Sequence, residues 1–176
     1  TLRAKPQVEA FIGCYLNQLE TVIGNVGYVL PSIDLFAQAL QSFNAGCQRC
    51  RRVASSSHLL ATNLPACTLE GIAGAPIQIA GSSTLAPLTQ KVADNFTALG
   101  FQAPIQIEST GTGAGFRRFC GDGAVDIVDA SRPINAAERA SCVAAGRPVL
   151  AFPVAVDALT VVVSRDNNFL RAVTLA

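Results

Sequence analysis

From residue 76 onward the chain alternates short β-branched runs with amphipathic helical stretches. That alternation restricts the fold more than any other feature. Ile77-Gln78-Ile79-Ala80 reads as a strand. Residues 84–99 follow as a helix, with Leu85, Leu88, Val92, Ala93 and Phe96 on its inner face. Ile105-Gln106-Ile107 is a second strand, 114–119 a short helix, and Val125-Asp126-Ile127-Val128 a third strand. Asn135 caps a helix that runs to about residue 145, and 149–154 and 159–164 read as two further strands. Strands and helices of these lengths, in alternation, predict an α/β fold with a mostly parallel central sheet, a three-layer sandwich.

The first third of the chain reads differently. Residues 6–19 form a helix, with Val8, Phe11, Ile12, Tyr15 and Leu19 at helical spacing. Residues 26–30 are a short extended piece ending at Pro31. Ser32 caps a second helix that carries Ile33, Leu35, Phe36, Ala39 and Leu40 and runs to about Phe43. Between 44 and 75 the periodicity fades into Ser, Asn, Pro and Gly. A connection of roughly 30 residues is long for a compact domain, and it suggests two pieces that did not evolve side by side.

Composition narrows the function classes. Half of the residues are hydrophobic and only 14% are charged, which excludes a disordered chain and allows a sizeable core in one domain. A net charge of +1 gives no long-range steering toward nucleic acid, so Phe116-Arg117-Arg118-Phe119 reads as a half-exposed helix. The longest apolar region, 148–163, is broken by Pro153 and Asp157, so no membrane span is expected.

Six cysteines suit two or three bridges in an exported domain. Cys47-Gln-Arg-Cys50 has C-x-x-C spacing. A zinc site would need a second such pair, and there is none. A redox motif would open a helix after a strand, whereas this one follows a helix, so a structural bridge is the favoured reading. Cys67 is then available to either Cys47 or Cys50. The single histidine, His58, lies in a Ser-rich stretch with no placed partner, so no hydrolytic triad, catalytic residue, cofactor or metal set is expected. Asn95-Phe96-Thr97 is a glycosylation sequon inside a predicted helix and is read as incidental.

In an open α/β sheet, ligands bind beyond the carboxyl ends of the strands. Three segments fall there. They are Gly81-Ser82-Ser83-Thr84, then Ser109-Thr110-Gly111-Thr112-Gly113-Ala114-Gly115, then Ala130-Ser131-Arg132-Pro133. Two of them open helices, whose first N–H groups lack intrahelical partners and carry partial positive charge. The hydroxyls add neutral donors, and Arg132 adds a planar fork suited to an oxyanion. Any one segment alone is an ordinary cap. Three on one edge point to a site for a small dehydrated oxyanion. The glycine spacing matches neither the dinucleotide fingerprint, because Phe116 stands where a glycine is needed, nor a P-loop.

These segments, with Ile79-Ala80 before the first and Asp126-Ile127-Val128-Asp129 before the third, resemble the opening domain of the phosphate-binding proteins of ABC transporters, a type 2 periplasmic solute-binding family. The resemblance covers residues 76–176. Residues 1–43 resemble that family's C-terminal end, through Lys5-Pro6-Gln7-Val8-Glu9-Ala10-Phe11-Ile12 and Val26-Gly27-Tyr28-Val29-Leu30-Pro31. The order is reversed and the family's middle is missing. This implies a single lobe in circularly permuted order, with 44–75 as the linker; a fragment of a longer chain is equally compatible.

The resemblance implies phosphate contacts from Ser82, Ser83 and the N–H groups of Thr84 and Leu85. It implies further contacts from Thr112 and the Gly113 N–H, and from Ser131 and Arg132. In the best-known members an aspartate of the third segment accepts the ion's own proton. Here Ser131 and Arg132 fill that region, which removes the acceptor that would reject fully ionised sulfate. Asp129 is near but points the wrong way if the strand alternates. The resemblance also implies a Cys120–Cys142 bridge, worth roughly 3 kcal/mol by loop entropy. It implies a second lobe, in cis or from another chain, and an ABC transporter permease as partners. The location it implies is exported, periplasmic or extracellular, in some cases membrane-associated. The function expected is phosphate or related oxyanion binding for uptake; the alternative is a ligand-poor interaction or signalling module derived from that lobe.

Overall fold

The computed structural model describes residues 5–46, 67–69, 72, 74–158, 162–169 and 172. Helix α1 spans Pro6–Val22. Proline at its first position suits the helix start, where an N–H would lack a partner anyway. Val8, Phe11, Ile12, Tyr15, Leu19 and Val22 are buried along one stripe. The helix runs on into a 3-10 turn, Ile23–Val26, and stops at Gly27, whose φ of 80° is left-handed. Helix α2 spans Ile33–Gly46, and Ser32 Oγ accepts from the Leu35 N–H as expected of a cap. Phe36, Ala39 and Phe43 face the core, while Ile33 is 65% exposed.

Three parallel strands follow: β1 (Ile77–Gly81), β2 (Ile105–Ser109) and β3 (Ile127–Asp129), in the order β2-β1-β3. Helix α3 (Ala86–Ala98) joins β1 to β2. Helix α4 (Thr112–Arg117) continues into a π-helical turn, Arg118–Asp122, and leads to β3. Helix α5 (Ala136–Ala144) closes the series, with a capping box between Asn135 and Glu138. Ile77 and Ile79 pack with α1, α2 and α3 in the main core, and Ile105, Ile107 and Ile127 lean against it. Val128 packs instead into a smaller cluster with Phe116, Cys120 and Cys142. Helices therefore cover both faces of the sheet, the α/β three-layer arrangement expected. The chain winds outward from the central β1 in both directions, which places a topological switch point at its carboxyl end.

Two of the expected strands do not form. Residues 149–154 run as irregular chain, and the nearby pairing is one antiparallel bridge between Val29 and Val156. Pro148 precedes the run and Pro153 lies within it, and neither has the N–H a ladder needs. Residues 162–164 are not strand either, and 159–161 lie outside the described residues. Most of the 44–75 connection also lies outside them. Its Cys67, for which the sequence offered Cys47 or Cys50 without choosing, pairs instead with Cys14 of α1. The Cys120–Cys142 bridge is present and ties the end of the α4 helical run to α5. Among the described residues, no helix is long and apolar enough to cross a membrane.

The first helix is integral to the core. Phe11 meets Phe96 edge-on at 5.4 Å between ring centroids, and both are fully buried. Lys5 Nζ lies 2.6 Å from Asp126 Oδ1, and Asp126 Oδ2 accepts from the Gln78 N–H, which joins the start of α1 to β1 and the approach to β3. Phe11→Ala should therefore cost about 3–5 kcal/mol of global stability in urea unfolding. The loss should appear in one cooperative transition followed by fluorescence and circular dichroism together. A separate minor transition would show that the first forty residues form an independent unit.

Candidate functional site

The site is built on a close approach. Gly81 ends β1 with a φ of 150°, and a Cβ there would lie 2.0 Å from the Asp129 carbonyl oxygen. The absence of a side chain lets the three strand ends join. The Ser82 N–H donates to Asp129 O and the Gly111 N–H to Gly81 O, both at 2.7 Å. Behind them, Gly115 fits under the sheet, since a Cβ would meet Ala80 O at 2.8 Å and Val128 Cγ1 at 2.9 Å. These contacts bring the segments after β1, β2 and β3 to one rim.

Each expected residue can be located on that rim. Ser82 is buried, and its Oγ accepts from the Thr84 N–H at 3.2 Å. The Thr84 N–H, expected to face a ligand, is thus taken up inside its own turn. Ser83 is exposed beside it. Thr84 and Leu85 line a cavity of about 420 Å³ together with Tyr28, Ala130, Ser131, Ala155 and Asp157. Tyr28 OH donates to Thr84 O, which pins the first turn to the chain just beyond the 3-10 segment that follows α1. Thr112 Oγ1 lies 3.2 Å from Ser131 Oγ and accepts from the Ser131 N–H at 3.3 Å. Gly113 sits in the first turn of α4, and a Cβ on it would be 3.6 Å from Arg132 Nη2. Arg132 is half-exposed and binds Glu138 through both of its Nη groups, at 2.9 and 2.7 Å. The bond with Arg132 holds the Glu138 carboxyl well below its usual range.

A larger cavity of about 860 Å³ opens next to the rim, lined in part by Val8, Ile12, Tyr15, Phe116 and Phe152. Asp129 borders it, and its side chain turns inward, away from the hydroxyls of the rim, as alternation predicts. Its Oδ1 accepts from Thr89 Oγ1 at 3.0 Å, and Thr89 Oγ1 lies 3.2 Å from Tyr15 OH. Burial pushes the Asp129 carboxyl up to about 6, against the lowering effect of the Thr89 donor. Burial also pushes the Tyr15 phenol up. Among the described residues no group of His, Cys, Asp and Glu could hold a metal ion.

Sequence reasoning missed Tyr28, Asp157 and Glu138. Glu138 was legible as the third residue after the Asn135 cap, a capping-box signal. Its second bond, to Arg132, depends on how the intervening turn closes. Tyr28 and Asp157 carry no local signal; the Val29–Val156 bridge brings them together.

Helices on both faces of a parallel sheet, with a hydroxyl-rich rim at its switch point, define the lobe of a type 2 periplasmic binding protein. The chain belongs to the PBP superfamily, whose domain matches residues 52–175. It is similar to Protein SphX of Synechocystis sp., at 38% identity over 117 residues, covering 66% of this chain and 34% of that one. Protein SphX of Synechococcus elongatus is 44% identical over 87 residues, 49% of this chain and 26% of that one. The phosphate-binding protein PstS of Staphylococcus epidermidis is 37% identical over 94 residues, 53% of this chain and 29% of its own. A solved structure of a possible phosphate binding protein from Planctomyces limnophilus aligns with a TM-score of 0.40 and 37% identity, over 42% of this chain and 25% of that one. The chain spans about a third or less of the length of the curated relatives it matches.

The position of Asp129 has a consequence for stability. Its folded value of about 6 lies above the ordinary 3.8, so the folded state binds the proton more tightly than the unfolded chain. This contribution is full below pH 4, is lost as pH rises through 6, and stays lost above it. Asp129→Asn keeps an acceptor for Thr89 and removes the charge. Subtracting wild-type from variant stability cancels the opposite slopes of the other carboxylates. The variant should gain up to about 3 kcal/mol at pH 7, and the gain should vanish near pH 4, in urea unfolding at both values. A difference independent of pH would contradict the inward, desolvated placement.

Proposed function

We propose that this chain is an oxyanion-binding lobe for inorganic phosphate, serving an ABC transporter from the periplasmic or extracellular side and carrying out no catalytic step. The observation that carries the reading is the meeting of three hydroxyl-bearing turns at one sheet edge, joined by the Ser82–Asp129, Gly111–Gly81 and Thr112–Ser131 hydrogen bonds. The phosphate-binding name of the PstS relative supports the choice of ion. Ser83, Thr112 and Ser131 supply hydroxyls, and the Leu85 and Gly113 N–H groups supply backbone donors from two helix starts. Arg132 supplies a cation, and Arg117 Nη1 lies close to Gly113 as well. Ser82 contributes by shaping the first turn, since its Oγ is held by the Thr84 N–H.

The lobe takes residues 1–43, the 44–75 linker and residues 76–176 as one unit in permuted order. The burial of α1 against α3 and β1 supports this reading. One rim supplies only part of the hydrogen bonds a phosphate ion can make, so a second lobe, in cis or from another chain, completes the site. The transporter permease is the partner that such a closed pair would meet.

The test is titration of the labelled chain with phosphate, following the amide resonances of Ser83, Thr112 and Gly113. Saturation at about millimolar concentration is the expected result, and Thr112→Val should weaken it roughly tenfold or more. No shift of these amides up to about 50 mM phosphate would exclude the reading in favour of a ligand-poor interaction module. Nanomolar binding by the monomer would contradict the half-site geometry.

A further inference from the structure

We propose that the site takes a phosphate monoester with an apolar substituent, its phosphate held at the rim and its substituent housed in the cavity of about 860 Å³ beside it. The inference rests on the phosphate-binding reading above and names a wider class of ligand for that site.

The rim and the cavity share walls. Leu85 and Ala130 line both the large cavity and the smaller one that holds Ser131. Arg132 borders the large cavity, and its Nη2 stands 3.6 Å from the Cβ position of Gly113. Arg117 Nη1 and Glu138 Oε1 are both 3.8 Å from the same point, so two guanidinium groups and one carboxylate surround it. The balance is one positive charge, which suits a phosphate anion. Phe116, one turn along from Gly113, lies in the cavity wall. The cavity therefore begins where the ion is held.

The cavity exists because β3 is paired on one side. Strand β1 bonds to it there, and residues 149–154 run past the other side as irregular chain. Ile127 and Val128 of β3, with Val149, Phe152 and Val154, line a space that no strand among the described residues fills. The polar groups in the wall already have partners. Asp126 is bound by Lys5 and the Gln78 N–H, and Thr89 bonds both Asp129 and Tyr15. Affinity in such a space comes from expelling water and from dispersion contact with apolar atoms. Its volume of about 860 Å³ lies within the roughly 300–1,000 Å³ usual for small-molecule sites, far more than a bare phosphate ion occupies. These walls favour an alkyl or aryl group over a sugar, whose hydroxyls would lose their water to apolar surface.

The experiment titrates the full chain at pH 7 with inorganic phosphate, glycerol phosphate and hexyl phosphate. It follows the Thr112 and Gly113 amides at the rim and the Val8 and Ile12 methyl groups in the cavity. Hexyl phosphate should move both sets together and bind about tenfold or more tightly than the other two compounds, which should move the amides alone. Nuclear Overhauser contacts between the hexyl chain and the Val8 and Ile12 methyls should appear in the wild-type chain. Val149→Trp narrows the cavity without altering a rim hydroxyl. It should bring hexyl phosphate down to the affinity of inorganic phosphate and leave inorganic phosphate binding unchanged. Equal affinity of wild type for hexyl and inorganic phosphate would overturn the inference while leaving phosphate binding intact. So would methyl groups that stay silent while the amides respond, glycerol phosphate binding as tightly as hexyl phosphate, or a folded Val149→Trp chain that keeps the hexyl preference. Amides silent to all three compounds would instead remove the phosphate-binding reading itself, and this inference with it.

Discussion

The contact between Gly81 and the Asp129 carbonyl governs the arrangement of everything at the carboxyl edge. A methyl group at 81 would stand 2.0 Å from that oxygen, closer than any Cβ can come. Without the contact, the Ser82 N–H could not reach Asp129 O and β1 would part from the end of β3. The rim would open where the hydroxyls now meet. Glycine here is a steric requirement first, with its φ of 150° as the second condition. Gly115 does the same beneath the sheet, letting α4 lie close enough for Thr112 to touch Ser131. Two missing side chains thereby set the spacing of the site.

Charge on the rim gathers beside Gly113, where Arg132, Arg117 and Glu138 all come within 4 Å of the Cβ position. Arg132 is paired with Glu138 within hydrogen-bonding distance, and Arg117 Nη1 stands 3.8 Å from the Gly113 Cβ position beside them. The buried carboxylate nearby, Asp129, faces away toward Thr89. Donors and acceptors at fixed positions penalise an ion with the wrong number of protons, whatever its total charge. The chain as a whole has a net charge of +1, so its field gives little long-range attraction to anions. Long-range attraction would draw in every anion alike, whereas short-range matching separates them.

Much of this was legible in the sequence, for reasons that differ by element. The three strands and helices α1, α2, α3 and α5 follow from local periodicity and caps: Ser32 and Asn135 sit where hydroxyl and amide caps should. The rim was legible because strand ends on one edge of a parallel sheet must lie together, whichever residues they carry. The misread strand at 149–154 shows the limit of that approach. Its apolar residues satisfy a strand pattern, but Phe152 and Val154 pack against the core as isolated side chains, and a strand forms only if a partner edge is offered. The same limit applies to Cys14–Cys67 and Arg132–Glu138. Both join positions whose proximity depends on tertiary closure, and no spacing rule encodes that.

The first forty residues then explain how a three-stranded sheet can be covered at all. A sheet this narrow exposes Ile77, Ile79, Ile105 and Ile107 on one face, and α3 alone is too slim to cover them. Helix α1 supplies the rest through Phe11, Tyr15 and Leu19, and its Lys5 end is held by Asp126. Tyr15 also reaches the buried Thr89–Asp129 pair, so the helix contributes to the polar interior beneath the rim as well as to the apolar core. Its continuation places Tyr28 on Thr84, which fixes the first turn of the site from outside. A segment that reads as a separate piece in the sequence is therefore both a wall of the core and a support of the rim. Chain order matters less to such a lobe than which faces are covered, because burial and hydrogen bonding respond to proximity and not to the sequence of connection.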